Sequence, residues 1–314
     1  MSLSIQPEEE RSVTVRAPAK VNLHLGVGRP RADGFHPLDT VFQAVGLYDD
    51  VRASDGEGMV TVEAAEYLPR GALGELGAWD GNIVGLAARL LSATAEDETA
   101  LSPVDLAIVK RIPVAGGMAG GSADAAAALV ALDRLWELDT VDEALLDLGA
   151  RLGSDVPFSM LGGTAHGSGR GEVLHAVPDP TTWWWVVVPS PEGLSTPEVY
   201  RRFDEMFPDA PATPASSAAV VAALSSGHPE HLAAALHNDL EAPAIDLRPE
   251  LGELIAHGEG EGGLRGLVSG SGPTVLFLCE SGDHARALAD RLQGDDLPVV
   301  LVANGPVAGA TVLE

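Results

Sequence analysis

The sequence predicts an α+β protein built from two domains, and three observations carry that prediction. Apolar residues alternate with a period of two near the start, at Val13, Val15, Ala17, Val21, Leu23, Leu25 and Val27, as an extended chain with one buried face requires. In the middle a strand-like segment, a glycine-rich loop and a helix-favouring run follow one another. After a Pro/Ala/Ser-rich connection at Pro208 to Ser217 come short helices and strands in an order that suggests a smaller split βαβ sandwich. The boundary is placed near Pro178 to Pro180, giving domains of residues 1–178 and 179–314. A repeat of 20 to 50 residues is absent, which argues against a solenoid.

The elements follow in order. Pro18 interrupts the first alternation, so two strand segments meeting at a kink or bulge are expected, with Lys20, Asn22 and His24 together on the opposite face. Strands are expected at Thr40 to Val45 and Met59 to Val62. A helix fits Asn82 to Leu91 through Ile83, Leu86, Ala87, Leu90 and Leu91, and a strand follows at Val104 to Arg111. The loop Pro113-Val114-Ala115-Gly116-Gly117-Met118-Ala119-Gly120-Gly121-Ser122 then leads into a helix at Ala123 to Leu138, and a second helix fits Val141 to Leu152. Gly162 to Gly171 reads as a loop and Trp183 to Val188 as a buried strand. Beyond the connection, helices are expected at Ala218 to Leu224 and Pro229 to Leu240, with a break at Gly258 to Gly263. Gly266 to Val268, a tight turn Ser269 to Pro273, a strand Thr274 to Cys279, a helix His284 to Leu292 and a strand Val299 to Val302 complete the chain.

Charge removes several function classes. The 314 residues carry 46 Asp and Glu against 19 Lys and Arg, a formal charge of −27. Binding to nucleic acid or to an anionic membrane needs positive charge, so neither is expected. The hydrophobic content of 46 % supports a substantial core and excludes an acidic disordered tail. The only lysines are Lys20 and Lys110; every other basic side chain apart from histidine is Arg. The lone Cys279 allows no internal disulfide and lies in an apolar run, where a buried thiol in a reducing compartment is the expectation. With neither a basic start nor an apolar stretch at the amino terminus, a cytoplasmic protein is expected. His228 and His231 are three apart but lack an acidic or thiol partner at ligand spacing, so a solvated helix end is expected there and no metal-ligating side chain is assigned anywhere.

The glycine loop is the strongest chemical signal. Residues without Cβ let backbone amides approach an anion, and the helix that follows adds unpaired N–H groups and its positive dipole end, with Ser122 as N-cap or as a hydroxyl toward metal or phosphate. Neither lysine follows a glycine, which excludes the Walker loop; Gly26-Val27-Gly28 and Gly167-Ser168-Gly169 lack the third glycine of a dinucleotide fold; kinase His-Arg-Asp and Asp-Phe-Gly triplets are absent. Asp155, after Gly153 and Ser154 and before Pro157, reads on local sequence equally well as a turn or N-cap residue and as a reactive carboxylate.

Taken together, Pro18-Ala19-Lys20-Val21-Asn22-Leu23, the loop Pro113 to Ser122 and Ser269-Gly270-Ser271-Gly272-Pro273 resemble the three motifs of the GHMP kinases, in order and spacing across nearly the whole chain. Within that superfamily, Arg31-Ala32-Asp33-Gly34-Phe35-His36 and Leu152-Gly153-Ser154-Asp155-Val156-Pro157 are similar to the branch that phosphorylates the 2-hydroxyl of a cytidine-diphosphate-linked methylerythritol with ATP, in the non-mevalonate route to isoprenoid precursors. The resemblance implies an amino-terminal α/β domain like the second domain of ribosomal protein S5 and a carboxy-terminal ferredoxin-like domain. It implies Lys20 and Asp155 as the catalytic pair flanking the acceptor hydroxyl, with Asn22 positioning substrate. It places Phe35 and Tyr200 on either side of the cytosine, His36 on its polar edge and Thr196 near the diphosphate. It assigns Asn82 and Lys110 to adenosine and Pro113 to Ala123 to the triphosphate. Met118 stands where Leu is usual, and Phe35 where Tyr is frequent. Mg²⁺ is expected with ATP, since phosphate charge must be neutralised; the only partner expected is the small-molecule substrate, with the chain a monomer or homodimer. Two other readings are kept: another GHMP kinase such as a homoserine kinase, which would not need Asp33 to His36 with Tyr200, and a catalytically silent sensor, which would not need Lys20 with Asp155.

Overall fold

In the computed structural model, which describes residues 11–68, 79–294 and 297–314, the chain lays down two sheets and leaves a cleft where their connecting loops meet. The first ten residues, on which the reading of the amino terminus rested, lie outside the described part. The first sheet begins with β1 (Ser12–Val27) and β2 (Leu38–Asp55), paired antiparallel along nearly their whole length. The kink expected at Pro18 is a register shift between Pro18 and Ala19 inside one continuous strand, and a second shift follows between Asn22 and His24. One face of β1 is fully buried through Val15, Ala17, Ala19, Val21 and Leu23, and Lys20 and Asn22 fall on the other, as alternation dictates. Next come β3 (Val60–Ala64), α1 (Ile83–Ser92) with Asn82 as its N-cap, and β4 (Val104–Lys110).

The glycine loop delivers the chain into α2 (Gly120–Leu135), which packs on β1 and β2. Ala123, Ala125 to Ala128 and Ala131 are fully buried there, and such short side chains let the helix axis lie close to the sheet. The helix α3 (Asp142–Leu152) matches its expected position, and α4 (Val156–Leu161) follows Asp155 directly. The stretch Gly162 to Gly171, expected as a loop, instead contains β5 (Thr164–Ser168), which pairs with β2 and with β6 (Val173–Ala176). Glycine at 167 hides this strand in the sequence but is required by it: a Cβ there would stand 2.8 Å from the Phe42 ring.

The second sheet starts at β7 (Trp183–Val188). The chain then runs through α5 (Thr196–Met206), α6 (Ala218–Ser226), α7 (Pro229–Ala235), the short β8 (His237–Asn238), α8 (Glu241–Leu247) and α9 (Pro249–Gly260). The helix expected over Pro229 to Leu240 therefore stops at Ala235, because His237 and Asn238 pair with β1, and the break expected at Gly258 comes after Gly260. β9 (Arg265–Val268), β10 (Val275–Cys279), α10 (Gly282–Gly294) and β11 (Leu301–Gly305) finish the antiparallel sheet in the order β11-β7-β10-β9, the arrangement of a ferredoxin-like domain. The last strand, β12 (Thr311–Leu313), returns to pair with β1.

A buried polar knot joins the sheets. Asp179 accepts from Gln43 Nε2 (2.8 Å), Thr164 Oγ1 (2.7 Å) and Trp183 Nε1 (2.7 Å), and Gln43 Oε1 accepts from Trp185 Nε1 (3.0 Å). Satisfied on every side, this network fixes the walls of the cleft relative to each other. Among the described residues no helix is long and apolar enough to cross a membrane. Cys279 is buried, and burial pushes its thiol up to about 12.

Candidate active site

The cleft between the loops has a volume of about 1140 Å³, more than the roughly 300–1,000 Å³ of a pocket for one small molecule. Its floor is the polar face of β1. Lys20 Nζ donates to Asn22 Oδ1 at 2.6 Å, lies 3.7 Å from Asp155 Oδ2, and sits 5.3 Å from the centre of the Phe42 ring. Asn22 cannot turn its amide over, because its Nδ2 donates to Thr40 Oγ1 (2.9 Å), which donates onward to the His24 carbonyl (2.6 Å). Two side chains on one strand are thus locked with the oxygen of one against the ammonium of the other. Asp155 occupies the N-cap position of α4, but its carboxylate makes no capping bond; it faces Lys20 with about a quarter of its side chain exposed to the cleft. The local sequence left capping and reactivity equal, and the geometry leaves the carboxylate available for chemistry.

One wall is the glycine loop. Its backbone turns left-handed at every second residue, with φ of 52° at Ala115, 76° at Gly117 and 58° at Ala119. Left-handed residues at alternate positions are the pattern by which successive N–H groups can curl toward one centre, an anion-binding nest. The two alanines hold this conformation at about 1–2 kcal/mol each, whereas position 117 admits only glycine: a Cβ would stand 2.0 Å from the Ser269 carbonyl oxygen. The helix α2 starts at Gly120 behind a left-handed Ala119 N-cap, and its first internal bond runs from the Ala123 nitrogen to the Ala119 carbonyl (2.9 Å). The amides of Gly120, Gly121 and Ser122 therefore precede the helical ladder and lie at its positive end. Ser122 is a first-turn residue, which corrects the expectation that it caps the helix. Pro113, Ala115, Gly116, Gly117, Ala119, Gly120 and Gly121 line the cleft. Val114, Met118, Ser122 and Ala123 do not: Met118 and Ala123 are fully buried in the core beneath.

The second domain closes over the loop. Ser269 Oγ donates to the Gly117 carbonyl at 3.1 Å, and the Thr274 nitrogen reaches the Gly116 carbonyl at 3.4 Å. Gly270 and Ser271 line the cleft here, and a Cβ on Gly270 would stand 3.4 Å from Lys20 Nζ. Ser271 Oγ shares a 2.7 Å hydrogen bond with Thr196 Oγ1 at the start of α5.

The far end holds the aromatic group. His36 Nδ1 donates to the Gly28 carbonyl at 2.8 Å, which leaves Nε2 facing the cleft, 3.6 Å from Asp204. Tyr200 packs on His36 with ring centres 4.9 Å apart; burial, with Asp155 nearby, raises its phenol well above the ordinary value. Phe35 is half exposed, and the Arg170 guanidinium covers one of its faces at 4.8 Å. Sequence reasoning did not single out Arg170 or Asp204, both of which line the cleft. For Arg170 a signal was present: one cation between Gly169 and Gly171 in a glycine-dense turn.

Two expected nucleotide residues are placed elsewhere. Lys110 is buried behind the loop, not in the cleft: its ammonium is taken by Asp49 Oδ2 (2.5 Å) and Asp124 Oδ2 (2.7 Å), and it stands 3.1 Å from where a Cβ on Gly120 would be. Burial alone would lower its pKa, but the two carboxylates raise it. Asp49 also accepts from the backbone nitrogens of Arg111 (2.5 Å) and Ile112 (2.9 Å), whereas Asp124 Oδ1 has no partner. Burial accordingly pushes the Asp124 carboxyl well up against the pull of Lys110. Lys110 thus supports the start of α2 from behind, its ammonium held by the two carboxylates. Asn82 caps α1 by accepting from the Val84 nitrogen (3.1 Å), is 2 % exposed and does not line the cleft.

Comparison with known proteins identifies the family. Residues 82–163 match the model of the GHMP kinases N terminal domain and residues 220–296 that of the GHMP kinases C terminal domain. The chain is 65 % identical over 301 residues to a 4-diphosphocytidyl-2-C-methyl-D-erythritol kinase of Nocardioides sp., covering 96 % of this chain and 99 % of that one. It is 49 % identical to the protein of the same name from Thermobifida fusca, with 96 % and 98 % covered. A crystal structure of 4-(cytidine 5'-diphospho)-2C-methyl-D-erythritol kinase superposes with a TM-score of 0.73 at 32 % identity, over 94 % of this chain and 98 % of that one. Homoserine kinase from Cytophaga hutchinsonii shares the fold, with a TM-score of 0.69 at 17 % identity over 99 % and 100 % of the two chains.

Proposed function

The chain belongs to the GHMP kinases, within them to the 4-diphosphocytidyl-2-C-methyl-D-erythritol kinases, and from that premise we propose that it transfers the γ-phosphoryl group of ATP to the 2-hydroxyl of 4-diphosphocytidyl-2-C-methyl-D-erythritol. The observation that carries the reading is the Lys20–Asp155 pair, 3.7 Å apart, between an anion-binding nest and an aromatic pocket.

Each residue then has a task. Asp155 accepts the proton of the hydroxyl as its oxygen attacks the γ-phosphorus, and the β-phosphate oxygen departs with ADP. Lys20, held by Asn22, orients that hydroxyl and offsets charge on the transferring group. Amides of the nest and of the first turn of α2 receive the triphosphate. With Nδ1 donating to Gly28, His36 presents its Nε2 edge to the polar edge of the cytosine, while Phe35 and Tyr200 supply ring faces for the base. Thr196 stands where the diphosphate would pass between base and acceptor.

Mg²⁺ would supply neutralisation of the phosphate charge. The donor set suits it: among the described residues no group of three or more His, Cys, Asp or Glu is placed to hold a metal, and Mg²⁺ bound with nucleotides takes phosphate and water oxygens with one or two carboxylates. The carboxylates that line the cleft are those of Asp155 and Asp204.

The test is a turnover assay with ATP and Mg²⁺ against the cytidylyl substrate, homoserine and mevalonate. Phosphorylation of the first alone is expected; turnover of homoserine in its place would sink the assignment.

A further inference from the structure

Three consecutive carbonyls of the phosphate loop are held from outside it. The Gly116 carbonyl accepts from the Thr274 nitrogen, the Gly117 carbonyl from Ser269 Oγ and the Met118 carbonyl from the Lys20 nitrogen, at 3.4, 3.1 and 3.1 Å. A trans peptide is planar, so its C=O and the N–H that follows point in opposite directions. Holding these carbonyls therefore sets the directions of the Gly117, Met118 and Ala119 amides. Two of the anchors come from the second domain and one from the strand that carries the catalytic lysine.

The first anchor is the weak one. At 3.4 Å it lies beyond the usual 2.7–3.2 Å of an N–H···O bond. Beside it stands a hydroxyl with nothing to bind. Thr274 is fully buried, its Oγ1 has no hydrogen-bond partner, and that oxygen is 2.7 Å from the place a Cβ on Gly116 would occupy. An unpaired buried hydroxyl destabilises a fold, and valine has the same shape without it. Thr274 does not line the cleft, so its natural acceptor is the loop backbone, not a ligand.

We propose that Thr274 is a positioning residue for the nucleotide: its hydroxyl donates to the Gly116 carbonyl when the triphosphate settles in the loop, and this second bond aims the Gly117 amide at the phosphates. The inference rests on the reading of the loop as the ATP site. In the ligand-free protein the hydroxyl is unspent, so part of the cost of ordering the loop is returned only on binding.

The experiment compares Thr274→Val and Thr274→Ser with the wild type. Thermal unfolding is measured without nucleotide, affinity for a non-hydrolysable ATP analogue with Mg²⁺ by calorimetry, and KM for ATP by turnover. The expected result is a valine variant that melts no lower than wild type yet binds the analogue about tenfold more weakly, with the KM for ATP raised alike. The serine variant keeps the hydroxyl and is expected within about twofold of wild type. A valine variant with wild-type affinity overturns the proposal. So does one that melts lower without nucleotide, since the hydroxyl would then have a partner in the resting fold, and so does a serine variant as impaired as valine. Wild-type protein that binds no adenine nucleotide would instead remove the ATP reading itself.

Discussion

Gly121→Ala separates what the fold requires from what the ligand requires. Gly121 lies in the first turn of α2, faces the cleft, has no left-handed φ, and a Cβ there would meet no protein atom within 4 Å. Nothing in the protein demands glycine at this position, and glycine inside a helix costs roughly 0.5–1 kcal/mol relative to alanine. Alanine should therefore leave stability unchanged or raise it by up to about 1 kcal/mol, a melting shift of a few degrees at most. The demand comes from the anion: a phosphate oxygen within about 2.9 Å of these first-turn nitrogens shares its space with the new methyl. KM for ATP should rise by about tenfold or more while KM for the cytidylyl substrate holds. Gly117→Ala gives the contrast. There the clash is with the Ser269 carbonyl at 2.0 Å in a left-handed residue, so stability and turnover should fall together. The measurements are thermal unfolding and steady-state kinetics in both substrates. An alanine at 121 with wild-type KM for ATP would refute the placement of the triphosphate over the start of α2.

Other predictions follow from the same geometry. Asp155→Asn keeps the shape beside Lys20 but removes the proton acceptor, so kcat should fall by roughly 10²–10⁴-fold with ATP affinity retained; near-normal kcat would take Asp155 out of that role. Phe35→Ala should weaken the cytidylyl substrate by about 1–3 kcal/mol, read as its KM, and leave ATP alone; a selective loss of ATP affinity would mean that the two pockets are reversed. Asp124→Asn tests whether the raised Asp124 carboxyl holds a proton in the folded protein. A carboxyl raised in the folded state contributes stability that is complete below its unfolded pKa and is lost as pH rises through its folded pKa. The asparagine variant cannot lose that proton, so its stability relative to wild type should climb from about pH 4 upward, by at most about 1.4 kcal/mol per pH unit. Parallel stability curves in denaturant titrations across pH would place the proton elsewhere.

The legible parts of this protein were those set by local pattern. Alternation revealed β1 and put Lys20 and Asn22 on one face, and the glycine loop announced an anion site between strand and helix. What escaped depended on distant partners. The loop-like glycine of β5 is a glycine because Phe42, more than a hundred residues earlier, lies against Gly167. The start of α2 moved forward to Gly120 because a left-handed alanine, an unfavourable cap by propensity, is imposed by the nest. The surroundings of Lys110 were hidden for the same reason: its partner Asp49 is 61 residues away, so the ion pair that holds the ammonium behind the loop is not readable from local sequence.

The two lysines also settle how a chain of charge −27 handles two phosphate esters. On the proposed reading, most of the anion binding falls to groups that leave net charge untouched, the loop amides and the first turn of α2. Side-chain cations are needed only where a compact ammonium with three donors is required. Lys20 fits between Asn22, Asp155 and the Phe42 ring with 8 % of its side chain exposed. Lys110 fits with 3 % of its side chain exposed between the carboxylates of Asp49 and Asp124, close enough beneath the start of α2 that a Cβ on Gly120 would stand 3.1 Å from its ammonium. The positive end of α2 and the loop amides before it carry no net charge, and on the proposed reading they act on the triphosphate whatever the charge of the solvated surface. A strongly acidic exterior and an anion-binding cleft are therefore compatible, since the first is set by solvated side chains and the second by backbone amides.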